Sequence, residues 1–229
     1  MALEPAQRTA AKAAGFLYLL QMATGVFGFW AKGQVVTGDA AQTAANLAAS
    51  DRLFRIGLAS DLMTAVTVIA LIVALYVVLA PVNRHLALLA AFWRLAENAI
   101  GAVAVLNGFV ALRLLGGAEY LRAVEPGQLQ ALARLFIGVQ GQGLSIAFVF
   151  LGLGSALFSY LWLRSRYIPR ALAAWGIFAS LVLSGVTLAI MVFPSLGAMG
   201  LIYMAPMGIY EVGLGIWLLV KGIRTPINE

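Results

Sequence analysis

Within Ala91-Phe92-Trp93-Arg94-Leu95-Ala96-Glu97-Asn98 a guanidinium, a carboxylate and an amide interrupt a long apolar run. A charged side chain at mid-bilayer costs about 2.5–3.5 kcal/mol on insertion scales, so two within one helical turn require a reason. At a spacing of three, Arg94 and Glu97 lie on adjoining parts of one helical face and can neutralise each other. Gly101 and Gly108 continue that face without bulk, which admits another helix, water or a ligand. Two further ionisable residues sit inside apolar runs: Asp61, and Glu211, which shares its helical face with Met204, Met207, Gly208 and Gly215.

Three chemistries fit these residue types. Arg94 and the carboxylates could hold the polar head of a small amphipathic or lipid-like molecule whose apolar body rests among methionines and aromatics. Glu97, Glu211 and Asp61 are candidate catalytic groups, acting as acid and base on a hydrophobic substrate, as in isomerisation or cyclisation of an isoprenoid. Glu97 and Glu211 could also relay protons in a coupled transporter. If the second, third, fourth and sixth apolar segments converge, Asp61, Glu97, Asn98, Asn107, Gln140, Gln142 and Glu211 line one polar space beside Arg94.

The competing reading is structural. Arg94 would neutralise Glu97 and Glu211, and Asp61 would pair with Arg52 or Arg55. Interhelical polar contacts in membranes average only about 0.6 kcal/mol, which is a thin return for so many buried polar groups. Catalysis lacks a nucleophile motif, a phosphate loop and a metal cluster, and no cofactor is implied. Transport by six spans with no clear inverted repeat would need dimerisation, which keeps a homo-oligomer among the expected assemblies.

The elements that must position these residues are membrane helices. Of 229 residues, 62% are hydrophobic and 10% charged, and the mean hydropathy is +0.95, too apolar to cover a soluble surface. Apolar runs of about 20 residues recur, and helices satisfy their own backbone hydrogen bonds in lipid. The expected fold is all-α, a single integral membrane domain over 1–229 with six spans near 13–30, 53–80, 86–115, 132–163, 171–192 and 200–220. The first run resembles a signal peptide but is long and lacks a small-x-small cleavage site, so it reads as a retained span. Residues 1–9 read as a frayed polar lead.

Between the spans, Asp39 is placed to cap a short helix through Ala49, and Pro126 to open the helix that continues into the fourth span. Pro81 to His85 reads as a tight hairpin turn, and Pro194 with Gly197 as a very short one. The segment Gly138-Val139-Gln140-Gly141-Gln142-Gly143 lacks the preceding strand of a phosphate loop. It reads as a small-residue helix interface with glutamines bonding across it, or as pocket lining.

A net charge of +6 would raise nucleic-acid binding in a soluble chain; here orientation explains it better, and no nucleic-acid partner is expected. Eight cations (Arg8, Lys12, Arg84, Arg164, Arg166, Arg170, Lys221 and Arg224) fall at one set of span ends, against six at the other: Lys32, Arg52, Arg55, Arg113, Arg122 and Arg134. The first set sits in short loops, so both termini are expected in the cytoplasm. The absence of cysteine excludes disulfides and thiolate chemistry, and the single histidine, His85, disfavours a Ser/Asp/His hydrolase.

The chain resembles a bacterial family known as domain of unknown function 4386. The resemblance rests on Gly38-Asp39-Ala40-Ala41, Leu53-Phe54-Arg55-Ile56-Gly57, Ser60-Asp61-Leu62, Pro81-Val82-Asn83-Arg84, Phe92-Trp93-Arg94 and Tyr167-Ile168-Pro169-Arg170. It continues with Glu211 ahead of Trp217-Leu218-Leu219-Val220-Lys221-Gly222. Members often carry a histidine early in the fourth span, where this chain has Gln140 and Gln142. The resemblance implies a multi-span membrane protein and supplies no reaction; the expected location is a bacterial inner membrane, with membrane lipid as the surroundings.

Overall fold

The computed structural model describes residues 4–200 and 202–224. Among the described residues seven α-helices follow one another: α1 (Pro5–Gly33), α2 (Ala40–Ala49), α3 (Asp51–Leu79), α4 (Arg84–Leu115), α5 (Pro126–Ser165), α6 (Arg170–Val192) and α7 (Ala205–Val220). No strand occurs among the described residues. All but α2 belong to stretches long and apolar enough to cross a bilayer, the last being Ile202–Val220, and the protein is a multi-pass integral membrane protein. Large side chains such as Val66, Val103 and Val192 are more than half exposed along these helices, as a lipid-facing surface requires.

Local chemistry sets the helix ends. Asp39 caps α2 as expected, its side chain accepting from the Gln42 amide at 2.7 Å. Asn83 does the same for α4, its Oδ1 accepting from the Leu86 amide at 3.0 Å. Pro126 is the first residue of α5, where its missing N–H costs nothing. Gly222 closes α7 at φ 67°, a left-handed conformation that glycine adopts without strain, and its N–H reaches the Trp217 and Leu218 carbonyls.

Two expectations need correction. Helix α1 begins at Pro5, so residues 5–9 are helical rather than frayed; residues 1–3 lie outside the described residues. The connection before α7 is not a very short turn. It holds two 3₁₀ segments, Pro194–Met199 and Ile202–Met204, and α-helix starts only at Ala205. Pro194 follows the C-cap of α6, Gly200 takes a φ of 59° at the end of the first 3₁₀ segment, and Pro206 can enter a helix only in its first turn. Leu201, within the expected sixth span, lies outside the described residues.

The chain packs as two compact units. The first comprises Met1–Met22, Val66–Asn98 and Ile146–Glu229, the second Ala23–Ala65 and Ala99–Ser145. The core of the first gathers Tyr18, Leu75, Phe158, Trp162, Leu183 and Leu214. Glycines set its helix spacings: a methyl group at Gly15 would lie 2.8 Å from the Gly215 carbonyl oxygen, so α1 and α7 meet backbone to backbone there. The second unit's core is Val35, Leu47, Phe54, Leu58, Val105 and Leu112.

Candidate functional site

Arg94 lies on α4 and is only 2% exposed. Its Nη1 is 3.2 Å from Glu97 Oε2, one turn further along the helix. The distance is that of an ion pair, but the alignment is too poor for a hydrogen bond, so both buried atoms lack a hydrogen-bond partner. Gly154 of α5 packs against the arginine's aliphatic stem, which shields it on that side.

A second carboxylate reaches the same place from another helix. Helix α7 buries Met207, Tyr210, Glu211, Leu214 and Leu218, a stripe at helical spacing. Glu211, 6% exposed, interacts electrostatically with both Arg94 and Glu97, and Gln21 of α1 hydrogen-bonds to it. Its Oε1 is buried without a partner. Tyr18, one turn before Gln21, interacts electrostatically with Arg94, Glu97 and Glu211. Beside Glu211, the Tyr210 hydroxyl accepts a 2.8 Å hydrogen bond from Ser159 Oγ of α5. Gly176 of α6 leaves the space that the Tyr210 ring fills.

The first unit thus encloses one guanidinium, two carboxylates and a set of hydroxyls drawn from α1, α4, α5 and α7. Removing such charges from water is costly, and their attraction offsets the cost only where geometry and hydrogen bonds are good. Here the hydrogen bonding is incomplete, since neither Glu97 Oε2 nor Glu211 Oε1 accepts a hydrogen bond. Glu97, with 15% of its side chain exposed, is the more accessible carboxylate; Asn98 follows it on α4 and is buried.

The remaining candidate site residues, Asp61, Asn107, Gln140 and Gln142, belong to the second unit. Asp61 pairs with Lys32 of α1, not with Arg52 or Arg55. The end of α1 runs beside α3 at this level: Gly28 abuts the Asp61 carboxylate, Ser60 donates to the Thr24 carbonyl at 2.9 Å, and Thr24 and Thr64 share a 2.7 Å hydroxyl contact. Arg55 turns to Asp51 on its own helix at 2.7 Å. Asn107 bonds back to the Ala104 carbonyl at 3.2 Å. Gln140 is buried with Nε2 unpartnered, close to Gly108, and Gln142 is exposed. The glycine-rich segment containing them lies wholly within α5, and His85 is exposed in the first turn of α4.

The sequence reading missed Tyr18, Gln21, Ser159 and Tyr210. Only the adjacency of Tyr210 to Glu211 was open to it; the others join the cluster through tertiary packing. Two cavities lined by Arg55, Leu112 and Gly116 lie in the second unit, and Arg94, Glu97 and Glu211 line neither of them.

No curated protein and no solved structure matches the chain. A family model does match, over residues 13–222, and its description is a domain of unknown function. The match takes in both units and every motif on which the resemblance rested, and the chain belongs to that family, DUF4386.

Proposed function

We propose that the protein binds a small hydrophobic or amphipathic molecule, lipid- or isoprenoid-like, with its polar head at Arg94, Glu97 and Glu211, in a bacterial inner membrane. The observation that carries the reading is Glu211 Oε1, buried and without a donor beside a buried guanidinium. An unpartnered buried acceptor costs about 1–3 kcal/mol, and a hydroxyl or amine on a ligand would remove that cost. Entry by the Glu97 side suits its partial exposure.

The test is organic extraction of the purified protein followed by mass spectrometry, for wild type and Glu211→Gln. The expected result is a hydroxylated or ionisable lipid enriched with the wild type and lost from a Glu211→Gln protein of unchanged thermal stability. Identical extracts from both would defeat the reading. The gathering of two carboxylates from α4 and α7 around one cation also favours a second reading, acid–base catalysis on such a molecule. In that case Glu97→Gln and Glu211→Gln retain the ligand and lose its conversion.

A further inference from the structure

The second unit holds a feature unconnected with Arg94. Helix α2 turns Ala41, Ala44, Ala45 and Ala48, spaced i, i+3, i+4 and i+7, onto a cavity of about 580 Å³. Leu112 and Leu115 of α4 line the same cavity. An adjoining space of about 460 Å³ shares Arg55, Leu112 and Gly116 with it and adds Phe109 and Arg113. The helix that links α1 to α3 thus leaves an alanine face opposite leucines instead of closing onto them.

The polar groups on this groove are unbalanced. Arg55 uses its Nε on Asp51 at 2.7 Å, and that pair is neutral. Arg113 makes no ion pair or hydrogen bond among the described residues. The rim therefore carries one uncompensated positive charge over apolar walls. It also lies at a fixed depth: Asp51 opens α3, and Arg113 is two residues from the end of α4, so both sit where a spanning helix meets the lipid headgroups.

We infer that this groove holds an anionic phospholipid, its phosphate against Arg113 and the free Nη nitrogens of Arg55, and an acyl chain along Leu112, Leu115 and the alanine face of α2. Guanidinium forks match phosphate oxygens, and basic recesses between membrane helices suit anionic headgroups. The groove volume falls within the range of small-molecule sites.

The full chain, delipidated in detergent, is titrated with phosphatidylglycerol or phosphatidylcholine and the bound lipid counted by native mass spectrometry. Phosphatidylglycerol should be retained in preference, and Arg113→Gln should reduce that preference about fivefold, the worth of one cation near a membrane surface. Ala44→Leu, which fills the groove without changing charge, should weaken both lipids. Arg122→Gln serves as the control, because Arg122 is highly exposed, 3.7 Å from Glu119, and lines neither cavity. Equal binding of the two lipids would overturn the proposal, as would an Arg122→Gln loss equal to that of Arg113→Gln. If Arg113→Gln does not fold, retention by Ala44→Leu at the wild-type level would overturn it alone.

Discussion

Gly154 of α5 lies directly against Arg94 of α4: a methyl group at Gly154 would sit 2.8 Å from Arg94 Cγ and 3.1 Å from the Ala90 carbonyl oxygen. The glycine is what lets the two helices close over the arginine's stem and hold its guanidinium in place. Gly154→Val should therefore cost about 1–3 kcal/mol, the usual range for overpacking, read as a lower melting temperature in detergent. Gly185→Ala on α6 is the comparison, since nothing lies within 4 Å of its added methyl. It should be neutral or stabilising by up to about 1 kcal/mol. Equal melting temperatures for the two variants would mean the contact at Gly154 is loose.

The ionic cluster makes a sharper demand. Arg94→Met leaves Glu97 and Glu211 buried without their cation, a loss of about 3–5 kcal/mol by analogy with other broken buried pairs. Replacing Arg94, Glu97 and Glu211 together by methionine removes the desolvation cost along with the attraction. The triple variant should be more stable than Arg94→Met alone, as measured by thermal or denaturant unfolding in one detergent. Strict additivity of the single losses would show that the three do not act as a unit.

These residues also mark how far the sequence carried. Arg94 and Glu97 were legible because charge inside an apolar run stands out and their spacing of three puts them on one helical face. The helix starts at Pro126 and the Asp39 cap were legible for the same reason: each depends on chemistry within four residues. What depends on packing was not. Tyr18 and Ser159 look like ordinary core residues until α1, α4, α5 and α7 are assembled. Lys32 reads only as one of the span-end cations, yet its stem reaches back to Asp61, which Arg52 and Arg55 do not engage. The two 3₁₀ segments before α7 went unseen because the apolar composition of residues 193–204 resembles that of a span while Pro194, Gly197, Gly200 and Pro206 interrupt it.

The Lys32–Asp61 pair is mostly shielded, with 15% and 16% of the two side chains exposed. Lys32→Met should destabilise the protein by stranding Asp61, and Asp61→Leu should do so by stranding Lys32. The loss from Asp61→Leu should be the smaller, because a lysine near the end of α1 can extend its stem toward the interface. The double variant should recover stability relative to Lys32→Met. A double variant as unstable as the sum of both singles would remove the pair as an energetic unit.

Orientation is the last expectation, and the chain is well suited to test it because it contains no cysteine. Six candidate spans among the described residues would bring the two ends of the helical region to one side, and the cation count in short loops predicts that this side is the cytoplasm. Tyr120, 73% exposed between α4 and α5, should then face outward, and the exposed His85 at the start of α4 should face inward. In intact cells a membrane-impermeant thiol reagent should label Tyr120→Cys and reach His85→Cys only after permeabilisation. The reverse pattern would turn the whole protein over while leaving the fold intact. Labelling of both from outside would be more serious: only α4 separates the two positions, so it would mean that the helix carrying Arg94 and Glu97 does not cross the bilayer.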